Sequence, residues 1–138
     1  MSWNIRLPSN AIQKAVVTRL KADVANVTVG EFIAEDSTMP FVVVPSPYVR
    51  NQSTKTMNRF AATMAIDVFS SYEGAKEVVE VSDQICQVLT SAFSLDLSAE
   101  HFGLVGPVFV DARPSIETNG ATLRRHMVLS FDFIIQQL

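Results

Sequence analysis

From about Asn10 to Ala25 the apolar positions Ile12, Val16, Leu20 and Val24 recur every four residues, with Val17 beside them. That spacing stacks them on one face of a helix. Gln13, Lys14, Thr18 and Lys21 fall elsewhere on the wheel and are expected to face water. Ser9 or Asn10 is expected to cap the first turn, because a short side-chain oxygen there accepts from an orphan amide. Arg59 to Phe69 alternates instead: Phe60, Ala62, Met64, Ile66 and Val68 point one way, and Arg59, Thr63 and Asp67 the other. This is the period of a half-buried strand. Ser70 and Glu73 then have capping-box spacing and introduce a second helix to about Phe93. Its apolar stripe is Val78, Val81, Ile85, Val88, Leu89 and Ala92, while Glu77, Glu80, Asp83, Gln84 and Gln87 form the outer face.

Shorter segments fill the intervals. Val27 to Ala34 predicts a first strand weakened by Gly30, and Phe41 to Val44 a second, entered through Pro40 and ended by Pro45 and Pro47, which lack the amide a ladder needs. Ser46 to Asn58 (SPYVRNQSTKTMN) is polar and basic and predicts a loop or mobile hairpin tip. Leu95 to Gly106 reads as irregular, with a short strand or turn around Leu104. After Pro107, Val108 to Glu117 and Ala121 to Ile135 flank Thr118, Asn119 and Gly120, whose Asn-Gly pair favours a tight hairpin turn. Leu123, Met127, Leu129, Phe131, Phe133 and Ile135 share one face of the last strand, with Arg125 in the same row. Arg124, His126, Val128, Ser130, Asp132 and Ile134 lie on the other. The order α-β-β-β-α-β-β predicts an α+β fold, an antiparallel sheet with both helices on one face.

The chain has 138 residues, the size of a single domain. Charged residues make up 18% and hydrophobic residues 48%, so the surface has fewer charges than usual to keep copies apart, which favours self-association. A net charge of −3 gives no field that would draw the chain to nucleic acid, and sequence-specific binding is not expected. Cys86 is the lone cysteine, which excludes an intrachain disulfide and suits a reducing compartment. No apolar run is long enough to span a bilayer, and Met1 to Asn10 is too polar for a signal peptide. The expectation is a chain made and kept in a cytoplasm, with no membrane partner.

No catalytic constellation is visible. The five glycines are scattered and form no phosphate loop. His101 and His126 have no paired nucleophile, and Cys86 sits mid-helix near the apolar stripe without a positive neighbour to stabilise a thiolate. Each is expected to tolerate alanine without loss of function, provided folding survives. Asp67, Asp111, Asp132 and His126 could share one sheet face. Alternating polar residues of that kind suit a solvated or interfacial face better than a metal site, because no local ligand spacing is present. No catalytic residue, no metal and no cofactor are therefore expected. Arg50, Lys55 and Arg59 make a modest basic patch around the polar loop, suited to an acidic partner surface.

Several segments resemble one family across nearly the whole chain. AIQKAVVTRLKAD is similar to its opening helix, MPFVVV to its second strand, MAIDVFSSYEGAKEVVEVSDQI to its strand-to-helix segment and RRHMVLSFDF to its ending. The family is that of the small tail-completion, or tail terminator, proteins of long-tailed bacteriophages. Its hairpin often carries Asp-Gly where this chain has Asn119 and Gly120, and Ser46 to Asn58 matches no family pattern. The resemblance implies a structural virion protein rather than an enzyme. It implies a homo-oligomer, a hexameric ring seated on the head-proximal end of the tail tube, that stops tube polymerisation and presents a surface to the head-tail connector protein. Assembly would take place in the host cytoplasm. Candidate partner contacts are Tyr48, Arg50, Lys55 and Arg59 around the loop, and Asp111, Arg113, Arg124 and His126 on the polar sheet face. Alternatives are a neck or head-closure connector, or a small-molecule-binding or enzymatic α+β domain, which would require a deep pocket with convergent polar groups.

Overall fold

A computed structural model of the chain describes residues 4–24, 26–31, 40–71, 74–91, 95, 97–119 and 122–138. Helix α1 (Ser9–Asp23) is followed by strands β1 (Thr28–Gly30), β2 (Phe41–Val43), β3 (Tyr48–Asn51) and β4 (Arg59–Ser70), then helix α2 (Lys76–Thr90), a 3-10 turn (Ser98–Glu100) and the long strands β5 (Phe102–Asn119) and β6 (Thr122–Gln137). The six strands form one sheet in the order β1-β2-β4-β6-β5, and β3 pairs with β4 beside β2. The fold is α+β as expected, and both helices cover one face. The sheet is antiparallel except that β1 runs parallel to β2.

Burial follows the periodicities. Ile12, Val16 and Leu20 of α1, Val78, Val81, Ile85 and Leu89 of α2, Phe60 to Val68 at alternate positions of β4, and Met127 to Ile135 at alternate positions of β6 form one core cluster. Register supplies the contact: Met64 lies opposite Phe131, and Ile66 opposite Leu129. Phe131 in turn meets the Phe109 ring edge-on at 5.7 Å and stacks with Phe133 at 6.3 Å.

Five details depart from the sequence reading. First, α1 starts after Pro8 without a side-chain cap, and Gln13 is buried, its Nε2 donating to the Val44 carbonyl at 2.9 Å. Second, α2 starts only at Lys76. Ser70 instead ends β4 and donates to Glu77 Oε1 in the first turn of α2 at 2.6 Å, fixing the angle between strand and helix. Third, the polar segment is a built hairpin: β3 pairs with β4 from Tyr48↔Thr63 to Asn51↔Phe60, and Gln52 and Thr54 amides donate to the Arg59 and Met57 carbonyls. Fourth, β5 begins at Phe102: Gly103, Gly106 and Pro107, which read as breakers, are paired with β6, and the two register shifts fall at Val105 and Val110. Fifth, β1 is shorter than expected within the described residues. Glu73, Ala92, Phe93, Gly120 and positions 32–34 lie outside them.

Candidate functional site

Directly paired residues of neighbouring strands point to the same side of a sheet. Tracing the register from the core positions gives the composition of the helix-free face: Tyr48 and Arg50 on β3, Arg59, Thr63, Asp67 and Phe69 on β4, Arg124, His126, Ser130 and Asp132 on β6, and Val108, Asp111, Arg113 and Ser115 on β5. Seven of the eight candidate contact residues therefore share one surface. The eighth, Lys55, is exposed in the turn between β3 and β4. The sequence reading separated a loop surface from a sheet surface. Pairing of β3 with β4 makes them continuous.

Within this face the acids are already engaged in separate pairs. Asp132 Oδ1 accepts from Thr63 Oγ1 at 2.7 Å, and Asp67 Oδ1 lies 2.8 Å from His126 Nε2. Asp111 Oδ1 is 3.8 Å from Arg113 Nε and has no hydrogen bond among the described residues. Asp67, Asp111, Asp132 and His126 do share the face, yet no three histidine, cysteine, aspartate or glutamate side chains converge on a metal-sized point among the described residues. Arg50 is exposed, whereas Arg59 is half-buried with its Nε enclosed and unbonded among the described residues.

His126 is the most constrained polar group here. Its Nδ1 lies 3.3 Å from Ser115 Oγ, its ring stacks on Phe69 at 4.4 Å, and the Arg124 guanidinium covers the same Phe69 ring at 5.6 Å. The tautomer that satisfies both polar neighbours carries its proton on Nε2, donating to Asp67 and accepting from Ser115. A serine, an imidazole and a carboxylate thus stand in series, but on three adjacent strands of an open sheet. Acyl transfer also needs a substrate cleft and oxyanion donors next to the hydroxyl. The groove beside it, about 360 Å³, lies between α2 and the β5-β6 hairpin; Ser115 and His126 form part of its wall, and the rest is mainly apolar, with Val78, Val79, Pro114, Ile116 and Met127. The arrangement ties β4, β5 and β6 together laterally. Changing His126 to Ala should cost about 1–2 kcal/mol, through the lost hydrogen bond and ring stack, measured as a lower urea midpoint. A midpoint equal to wild type would show that the network carries no stability.

The other titratable candidates lie elsewhere. His101 is exposed at the far end of β5, where its left-handed backbone (φ 60°) closes the 3-10 turn and its carbonyl accepts from the Leu138 amide. Cys86 is half-buried on α2, and burial, followed by the nearby Asp83 charge, raises its thiol above the usual range. A thiol so placed stays protonated at neutral pH and is a poor nucleophile. Sequence reasoning missed Ser115 and Phe69 as neighbours of His126. Only the strand register brings them to it.

Comparison with known proteins gives three results. No curated protein matches the chain at a significant level. Among solved structures, a chain from the "Virion of native gene transfer agent (GTA) particle" superposes with a TM-score of 0.78 at 21% identity, covering 96% of this chain and 99% of that one, which shows that the two share a fold. The sequence also matches the family described as "Tail completion protein gp17" over residues 14–136. With that match spanning both helices and the sheet, the chain belongs to the tail completion protein family, a family of structural virion components and not of enzymes.

Proposed function

We propose that the protein acts as a tail terminator: copies close into a hexameric ring on the head-proximal end of the tail tube, stop its polymerisation and present a surface to the head-tail connector. The observation that carries this reading is the helix-free sheet face of a tail-completion domain, where Arg50, Arg113, Arg124 and the neighbouring Lys55 surround a rigid, hydrogen-bonded platform. A docking surface needs side chains held in place before contact, because ordering them on binding costs free energy. Three cross-linked strands supply that. The two helices lie on the reverse side, and no helix among the described residues covers this face.

The test is charge reversal at the two exposed basic positions, Arg50→Glu with Lys55→Glu. Arg59 is left alone because its half-buried guanidinium serves the fold as well. Exposed charges contribute little to stability, so the unfolding midpoint should stay within about 0.5 kcal/mol of wild type. Like-charge contacts across an interface cost several kcal/mol, so tails should grow to uncontrolled length and fail to join heads. Tails of normal length joined to heads in electron micrographs would remove these two residues from the docking surface.

A further inference from the structure

We infer that the free edge of β5 around Val108 is the surface on which a second copy of this chain docks, through that copy's β3 edge at Tyr48; this rests on the ring reading above. Among the described residues the sheet ends in β5 on one side, and β3 is paired only with β4 on the other. On β5, Val105, Val108, Phe109 and Val110 are 56%, 55%, 42% and 50% exposed, an apolar run that isolated soluble domains seldom leave in water. The two register shifts turn extra side chains of this run outward. Pro107 and Pro114 remove amide donors from the same edge, so a partner is held there by side-chain packing and not by a continued backbone ladder.

Two features identify the occupant as this same chain. Tyr48 is the large exposed aromatic at the opposite edge, 67% exposed, and aromatic side chains dominate the cores of protein interfaces. Its height also fits. Tyr48, Thr63, Asp132 and Val108 form a single row across β3, β4, β6 and β5. Rotation without translation closes a ring, and it brings together only patches that lie at equal height along the axis. With the axis along the strands, Val108 of one copy and Tyr48 of the next meet that condition. The contact joins two different edges, so it is heterologous, as a ring of more than two copies requires.

The experiment combines assembly and crosslinking of the full chain. In a Cys86→Ser background, Tyr48→Cys and Val108→Cys are made singly and together, and oxidised under mild conditions. The double variant should give a ladder of covalent oligomers, whereas neither single variant should, because a disulfide needs Cβ atoms within about 4 Å. Light scattering over a concentration series should show Val108→Asp shifting assembly at least about tenfold to higher concentration, which corresponds to about 1.4 kcal/mol, with circular dichroism unchanged. Tyr48→Phe, which retains the ring and loses the hydroxyl, should weaken assembly less. If wild type assembles but Val108→Asp assembles equally well and the double variant gives no ladder, the interface lies elsewhere and this inference falls while the ring reading stands. If Val108→Asp leaves the oligomer intact and only blocks incorporation into particles, the edge meets a different virion protein, which also overturns it. A wild-type chain that is monomeric both in solution and on isolated tails overturns the ring reading itself.

Discussion

Replacing Phe131 with alanine is expected to lower the unfolding free energy by about 3–5 kcal/mol, the range for deleting a fully buried aromatic ring. Phe131 has no exposed surface and lies between Met64 of β4 and Phe109 of β5, with Phe133 stacked beside it. Met64 and Phe133 on its flanks are themselves buried, so most of the cavity should persist. Ile85, equally buried on the α2 stripe, should cost about 2–5 kcal/mol as alanine. Against a total of about 5–15 kcal/mol for an ordinary domain, either loss is severe. The Phe131 variant should melt roughly 10–20 °C below wild type. Urea titration checks both, and unchanged midpoints in the two variants would remove these residues from the core.

The second large effect runs against hydrophobic intuition. Changing Gln13 to Leu should destabilise the protein by about 1–3 kcal/mol, although it places an apolar side chain at a buried position. The Val44 carbonyl that accepts the Gln13 amide belongs to a residue with no exposed surface, and the substitution leaves that oxygen buried without this donor. The same change at the adjacent Lys14, which is exposed and reaches Glu100 only at 3.7 Å, should stay within about 0.5 kcal/mol. A Gln13→Leu variant as stable as wild type would mean that the hydrogen bond contributes nothing net. The pair of variants separates a polar anchor between α1 and the end of β2 from a merely amphipathic helix surface.

Gln13 also marks where sequence patterns stop being informative. On a helical wheel it falls beside polar Lys14, Thr18 and Lys21, and amphipathicity alone assigns it to solvent. The structure buries it because α1 crosses over the end of β2, 31 positions away, where an unpaired carbonyl needs a donor. The polar segment before β4 is a similar case. β3 was hidden within a loop-like composition because an edge strand so short turns only Val49 against the core, while Tyr48, Arg50 and Asn51 remain exposed. The capping-box spacing of Ser70 and Glu73 suggested a helix start earlier than the one at Lys76, with Glu73 outside the described residues. Ser70 instead ends β4, paired with Arg125 of β6, and its hydroxyl reaches Glu77 beyond the turn.

By itself the sequence determined the elements long enough to carry their own burial pattern: α1, α2, β4, β6 and the hairpin of the last two strands. Over ten or more residues, a period of four or of two commits one face to the core whatever else the chain does. It also contained all eight candidate contact residues, as separate groups around a loop and on a sheet face. Tertiary structure decided what those groups form together. The register of β3 on β4, of β4 on β6 and of β6 on β5 collected seven of them on one face, put Ser115 and Asp67 on either side of His126, and aligned Tyr48 with Val108 across four strands. Register is a relation between segments far apart in the chain, fixed by the packing of whole strands at once. No local period encodes it.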